Sequence, residues 1–201
     1  MSTFINDRRG FSLIEMLMVV GLTTVIAAMA VPMMSNTIGN FRLSGDAHSV
    51  ASAMALAKLR AASGFSQARL FVDLTTRSFH VETLQKSPVA WITDGGSTTL
   101  STGVTFGFGA IATSPLNGVV AQSVPCVTAA GAAIANTACI LYNSRGIPVD
   151  PSGAAPNVGA PTGNDALYLT DGTAVYGLLL LATGQSKLYR TNISSASWSL
   201  Q

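Results

Sequence analysis

The sequence predicts an α+β protein: one long N-terminal helix packed on an antiparallel, β-rich globular head. Three observations predict it. Met16 to Phe41 contains no charged residue and is dense in Met, Leu, Val, Ile and Ala. From Leu43 to Ala61, apolar residues recur at helical spacing. After Gly64 the apolar period becomes two, and turn pairs punctuate the chain to its end.

The totals set outer bounds. A length of 201 residues allows one domain and an anchor. Hydrophobic residues make up 48% and charged residues 10%. Such a balance suits a membrane segment with packed neighbours better than a freely soluble monomer. The formal net charge of +2 is too small for charge alone to indicate nucleic-acid binding.

Four segments follow in order. Residues 1–10 form a short polar leader ending in Arg8-Arg9-Gly10. Residues 11–41 form a helix starting near Phe11. About 20 apolar residues at 1.5 Å each cross a bilayer's hydrocarbon core, and Met16 to Val31 is dense enough to do so. Arg8 and Arg9 would hold the N-terminus on the cytoplasmic side. Glu15, at the edge of the run, is costly unless it lies near the interface or is paired. Gly21, Pro32 and Gly39 are weak points, with a kink or local melting expected at Pro32. Residues 42–64 form an amphipathic half of the same helix. Leu43, Ala47, Val50, Ala51, Met54, Ala57 and Ala61 make its core stripe, Arg42, Asp46, Lys58 and Arg60 its polar positions, and Ser63-Gly64 its end.

Residues 65–201 form the head. Leu70, Val72 and Leu74 alternate with Phe71 and Asp73, and Phe79, Val81 and Thr83 with His80 and Glu82. Thr75-Thr76-Arg77 between them reads as a hairpin turn. Val89–Thr93, Val104–Ile111 and Val119–Val124 read as further strands. Gly107-Phe108-Gly109-Ala110-Ile111-Ala112 matches a dinucleotide fingerprint formally. Ser114-Pro115 follows where a helix is required, so the glycines mark a bulge or close packing instead. Pro125–Ala138 reads as a loop or short helix. Cys139–Tyr142 resumes strand character, and Asn143–Pro148 turns. Asp150–Asp165 is an exposed loop. Ala166–Thr170, Ala174–Leu181 and Lys187–Ile193 close the chain as a meander, with turns at Asp171-Gly172 and Thr183-Gly184.

The stretch Gly10-Phe11-Ser12-Leu13-Ile14-Glu15 resembles the processing site of type IV pilins and type II secretion pseudopilins. The resemblance implies cleavage by a prepilin peptidase between Gly10 and Phe11, and N-methylation of the new terminal Phe11. It makes Glu15 the assembly carboxylate that meets the terminal amine of a neighbouring subunit. The physics agrees: an ammonium and a carboxylate in an apolar bundle attract strongly, and each alone is costly. Tyr142-Asn143-Ser144-Arg145-Gly146-Ile147-Pro148 before a final hairpin is similar to the minor branch that includes the GspH pseudopilins of type II secretion and the pilus protein FimT. Some FimT-like proteins bind DNA through a Gly-Arg-x-Arg segment. The aligned stretch here is Gly184-Gln185-Ser186-Lys187, followed by Arg190, so Lys187 and Arg190 are the candidate DNA contacts. The first arginine of the pattern is absent and the second is replaced by lysine.

The resemblance implies a structural subunit of a type IV pilus or a type II secretion pseudopilus. It would cross the bacterial inner membrane once with its head in the periplasm, then enter the filament. Its partners would be other pilin or pseudopilin subunits, the prepilin peptidase and inner-membrane lipid. DNA is a further partner in the alternative reading, a DNA-uptake pilin. On the outer side of the membrane Cys126 and Cys139 are permitted to form a disulfide, the alternative being two unpaired thiols. A second alternative is an exported soluble protein. Arg8-Arg9-Gly10-Phe11 fits a twin-arginine signal, and Ala28-Met29-Ala30 fits a signal-peptidase site before Val31. Glu15 early in the apolar run argues against that, as does the helical pattern continuing past Val31.

No enzyme is expected. His48 and His80 lack a Ser or Cys in a known nucleophile arrangement. Two cysteines and two distant histidines make no tetrahedral metal set, and no cofactor is implied. Arg145-Gly146 reads as turn chemistry, and Trp91 and Trp198 as packing residues.

Overall fold

Ser12 sets the start of helix α1 (Leu13–Ser63). Its Oγ accepts the Ile14 N–H at 3.3 Å, and its carbonyl accepts from Glu15 and Met16. N–H groups that a helix start would otherwise leave orphaned are thereby satisfied, so the helix begins two residues after Phe11. The computed structural model describes residues 11–111, 113–115, 122–156, 159–163, 165–194 and 197–201. The leader 1–10 lies outside the described residues.

The helical assignment is unbroken through Gly21, Pro32 and Gly39, so the local melting expected at Pro32 does not occur. The chain divides into two compact units, Met1–Gly39 and Asn40–Gln201. Helix α1 ends in a paired-bond cap. The Ser66 N–H donates to Ala61 O, and Phe65 N–H to Ala62 O, with Phe65 at φ +45°. This satisfies the last carbonyls through a left-handed residue, a place glycine usually takes. Gly64 stands one position earlier than that residue.

In the second unit the predicted stripe is buried. Leu43, Ala47, Val50, Met54, Ala57 and Ala61 are at most 1% exposed. Burial of each larger apolar side chain is worth about 1.5–3 kcal/mol. The alanines let two antiparallel sheets approach the helix. The first contains β1 (Ala68–Asp73), β2 (Ser78–Lys86), β3 (Val89–Thr99), β5 (Thr137–Tyr142) and β6 (Pro148–Val149), in the order β3-β2-β1-β5-β6. The second contains β4 (Thr105–Phe106), β7 (Ala166–Thr170), β8 (Ala174–Leu180), β9 (Ser186–Asn192) and β10 (Ser199–Leu200), in the order β10-β9-β8-β7-β4. Leu70, Val72, Phe79, Val81, Ile140 and Tyr142 of the first join Leu167, Leu169, Tyr176, Leu178 and Leu180 of the second around the helix stripe.

The β1–β2 turn follows from Asp73, whose Oδ1 accepts the N–H groups of Thr75 (2.8 Å) and Thr76 (3.0 Å). Asp171 does the same between β7 and β8, accepting from Thr173 and Ala174.

Three strand expectations need correction. The Val104–Ile111 strand is reduced to Thr105–Phe106, because Gly107 (φ +149°) and Gly109 (φ +56°) turn the chain out of the ladder. The Val89 strand runs on to Thr99, because β2 pairs with Val89 to Asp94 and, past a bulge, with Thr98 and Thr99. For Val119–Val124, residues 119–121 lie outside the described residues, and 122–124 are not strand. There the Gln122 side chain replaces a strand backbone: its Nε2 donates to Tyr168 O and its Oε1 accepts from Tyr168 N, both at 2.9 Å. Pro125–Ala138 forms no helix, and β10 adds a short strand beyond the expected meander.

Candidate functional site

The N-terminal segment places its candidate residues at one end of a bare apolar helix. Phe11 is 79% exposed, and Glu15 stands in the first helical turn. Leu13–Ala30 is long and apolar enough to cross a membrane, and none of it is buried within the chain. The two threonines in this stretch are satisfied internally. Oγ1 of Thr23 and of Thr24 both donate to Val20 O, at 2.9 and 2.7 Å. Their polarity therefore carries little penalty in an apolar surround. Gly10, the other half of the expected cleavage bond, lies outside the described residues.

Ser12 and Glu15 also occupy the N-cap and third helical positions. Ser-x-x-Glu is the spacing of a capping box. That spacing is legible in the sequence, but Ser12 Oγ accepts from Ile14 rather than from Glu15, whose N–H goes to the Ser12 carbonyl. A carboxylate there also complements the positive end of the helix dipole.

On the head, Lys187 and Arg190 are not brought together. Both lie on β9, three residues apart, so they point to opposite faces of the sheet. Arg190 pairs in register with Tyr176 and holds its guanidinium 5.9 Å from that ring. Its Nη2 donates to Asn40 Oδ1 at 3.4 Å. Lys187 shares the other face with Tyr189. The two therefore do not form one cationic strip for a phosphate backbone.

The structure does assemble a cluster that no local sequence motif marks. Arg69 is only 3% exposed on the face of β1 opposite the helix. Its Nε donates to Glu82 Oε2 and its Nη1 to Val127 O, each at 2.5 Å. The guanidinium lies 4.1 Å from the Trp91 ring and 5.5 Å from Phe71. His80 meets Glu82 Oε1 at 3.2 Å and stacks on Phe71. Burial pushes the Arg69 guanidinium below its ordinary pKa, and Glu82 pulls it back up. Cys126 and Cys139 are joined, with Cα atoms 4.8 Å apart, and the loop they close carries the Val127 carbonyl. Alternation along Ala68–Asp73 could have placed Arg69 beside Phe71. Its burial could not be read, because the covering loop is distant in sequence.

Both oxygens of Glu82 are engaged, one by Arg69 and one by His80. Among the described residues no three His, Cys, Asp or Glu side chains converge in a metal-binding arrangement.

Residues 5–31 match the family model described as the prokaryotic N-terminal methylation motif. No curated protein matches the chain. Two solved structures of the minor pseudopilin EpsH from the type 2 secretion system of Vibrio cholerae resemble it. One is 13% identical, covers 80% of this chain and 96% of its own, and has a TM-score of 0.38. The other is 13% identical, covers 79% and 92%, and has a TM-score of 0.37. Likeness at that level decides nothing about function. The match over residues 5–31 spans the residues that carried the pilin resemblance, so the N-terminal segment is pilin-like.

Proposed function

We propose that the chain is a structural subunit of a type IV pilus or secretion pseudopilus. It is cut between Gly10 and Phe11 and assembled through helix α1. The observation that carries this reading is the methylation motif over residues 5–31, which contains an apolar helix, Leu13–Ala30, left uncovered by the described residues. Such a helix needs an apolar partner at every stage: lipid before assembly, neighbouring helices after it.

Lipid is as apolar as a helix bundle, so the transfer gains little from hydrophobicity. Close packing and charge pairing must favour the filament instead. Cleavage frees an ammonium at Phe11, four residues before the Glu15 carboxylate. The Glu15 of one subunit and the new terminus of the next neutralise each other where neither is well solvated. The head, Asn40–Gln201, then stands outside the bundle and carries whatever recognition the filament needs.

Mass spectrometry of the native protein is the direct test. A mature N-terminus at methylated Phe11 agrees with the reading. A terminus near Val31 would make the chain an exported soluble protein, and an intact Met1 in functional filaments would also overturn the reading.

A further inference from the structure

At the start of the second unit, two arginines stand on opposite flanks of helix α1. At about 100° per residue, Asn40 and Arg42 fall on either side of the buried stripe headed by Leu43. Asn40 carries Arg190 beside it through the Nη2–Oδ1 contact, and Tyr176 supports that guanidinium from β8. Arg42 is exposed on the other flank. Between them Phe41 is 73% exposed.

Among the described residues no carboxylate lies within ion-pair distance of Arg42 or Arg190. Asp46, one helical turn beyond Arg42, is the natural partner. Both its oxygens instead accept from Ser101, one from the backbone N–H at 2.8 Å and one from the hydroxyl at 3.0 Å.

Arg42 is also the first charge after the uncharged run that begins at Met16. A bilayer with its headgroup layers is about 40–45 Å thick, which a helix covers in roughly 27–30 residues. Counted from the start of α1 at Leu13, that length ends close to Phe41 and Arg42. An exposed aromatic flanked by long cationic side chains at that point suits an interface, where the stems lie in apolar surroundings and the heads reach phosphate.

We propose that Arg42 and Arg190 form a cationic collar that seats the base of the head on lipid phosphate before assembly. The occupant is the anionic headgroup layer of the bilayer that the helix crosses. This rests on the membrane-anchored reading above. The collar adds that the head is held against the surface and must break these contacts when the subunit leaves the membrane.

The test uses the full chain in vesicles of phosphatidylcholine alone or with phosphatidylglycerol. Arginines are labelled with phenylglyoxal and the sites are read by mass spectrometry. Arg145, exposed in the turn after β5, is the internal reference. Labelling of Arg42 and Arg190 relative to Arg145 should slow roughly fivefold with phosphatidylglycerol. Inorganic phosphate added to the phosphatidylcholine vesicles should leave the ratio unchanged. Equal ratios in both vesicles, with the chain retained in each, would overturn the collar alone. Protection by free phosphate would reduce it to a general anion site and likewise overturn it. Failure of the chain to sediment with either vesicle would overturn the anchor reading, and the collar with it.

Discussion

The backbone of Gly184 passes so close to Gly146 that a Cβ on Gly184 would stand 2.5 Å from the Gly146 carbonyl oxygen. Lys58 closes over the pair: its Nζ donates to Gly184 O at 3.1 Å, and its stem lies against Gly146. Both glycines are left-handed, at φ +73° and +71°. The Asn143–Pro148 turn and the β8–β9 turn are thus locked to one lysine of α1. Gly184→Ala should lower stability by about 2 kcal/mol or more, through left-handed strain plus a clash with backbone that cannot move aside. Gly172→Ala isolates the strain. It has φ +87° but open space around it, and should cost about 1 kcal/mol. Urea unfolding of both variants in detergent gives the comparison, and equal losses would contradict the close-packing account.

Arg69 and Glu82 should behave as a unit. Removing one member strands a buried charge, so Glu82→Ala should cost about 3–5 kcal/mol. Replacing both, as Arg69→Met with Glu82→Leu, should cost clearly less than the single change. A double-mutant cycle by denaturant unfolding measures the coupling. Additive losses would show that the two side chains do not support each other.

The Cys126–Cys139 bridge closes a short loop, at a sequence separation of 13. Cys126→Ser with Cys139→Ser should cost about 3 kcal/mol from loop entropy. It should also loosen the strand of loop that presents Val127 O to Arg69. Hydrogen exchange around residues 126–134 should therefore rise more than in the β7–β8 hairpin.

Asp165 contributes a pH dependence of defined sign. Burial pushes its carboxyl above the ordinary value, the Thr162 hydrogen bond opposes this, and Asp150 adds to it. A raised folded pKa gives a contribution that is complete below the unfolded pKa, about 4, and is lost as pH rises through the folded value. Asp165→Asn should therefore melt close to wild type at about pH 3 and above it at about pH 7. Asp73 and Asp171 are shifted downward and act in the opposite direction, but both proteins contain them, so they cancel in the difference.

Two readings of Glu15 can be separated by experiment, helix capping and the proposed ion pairing. Glu15→Gln keeps a side chain suited to the capping box and removes the charge. If pairing with a neighbour's terminal ammonium governs assembly, Glu15→Gln and Glu15→Ala should both insert into membranes and both fail to enter filaments. If capping governs it, Glu15→Gln should assemble normally and Ser12→Ala should be impaired, at a cost of about 1 kcal/mol to the helix start. Filament incorporation and membrane fractionation of the three variants decide between them.

The long helix, its core stripe, the β1–β2 hairpin and the terminal meander are readable because each rests on local chemistry. A 3.6-residue period buries Leu43 to Ala61, a two-residue period buries Leu70 and Val72, and Asp73 and Asp171 make their own turns. The Val104–Ile111 strand is not readable in the same way, because apolar content does not reveal where glycines leave the ladder. Lys187 and Arg190 are near in sequence, yet alternation along the expected strand Lys187–Ile193, present as β9, sets them on opposite faces.

By itself the sequence determined the apolar N-terminal helix. An uncharged membrane-length run and the carboxylate at its edge are consecutive residues, and their physics is that of a single helix. Tertiary structure alone decided what lies under the Cys126–Cys139 loop, which glycines touch, and which arginines stand apart from any described carboxylate. Those contacts join segments far apart in the chain, and their energies depend on distance and on the exclusion of water, which no local pattern records.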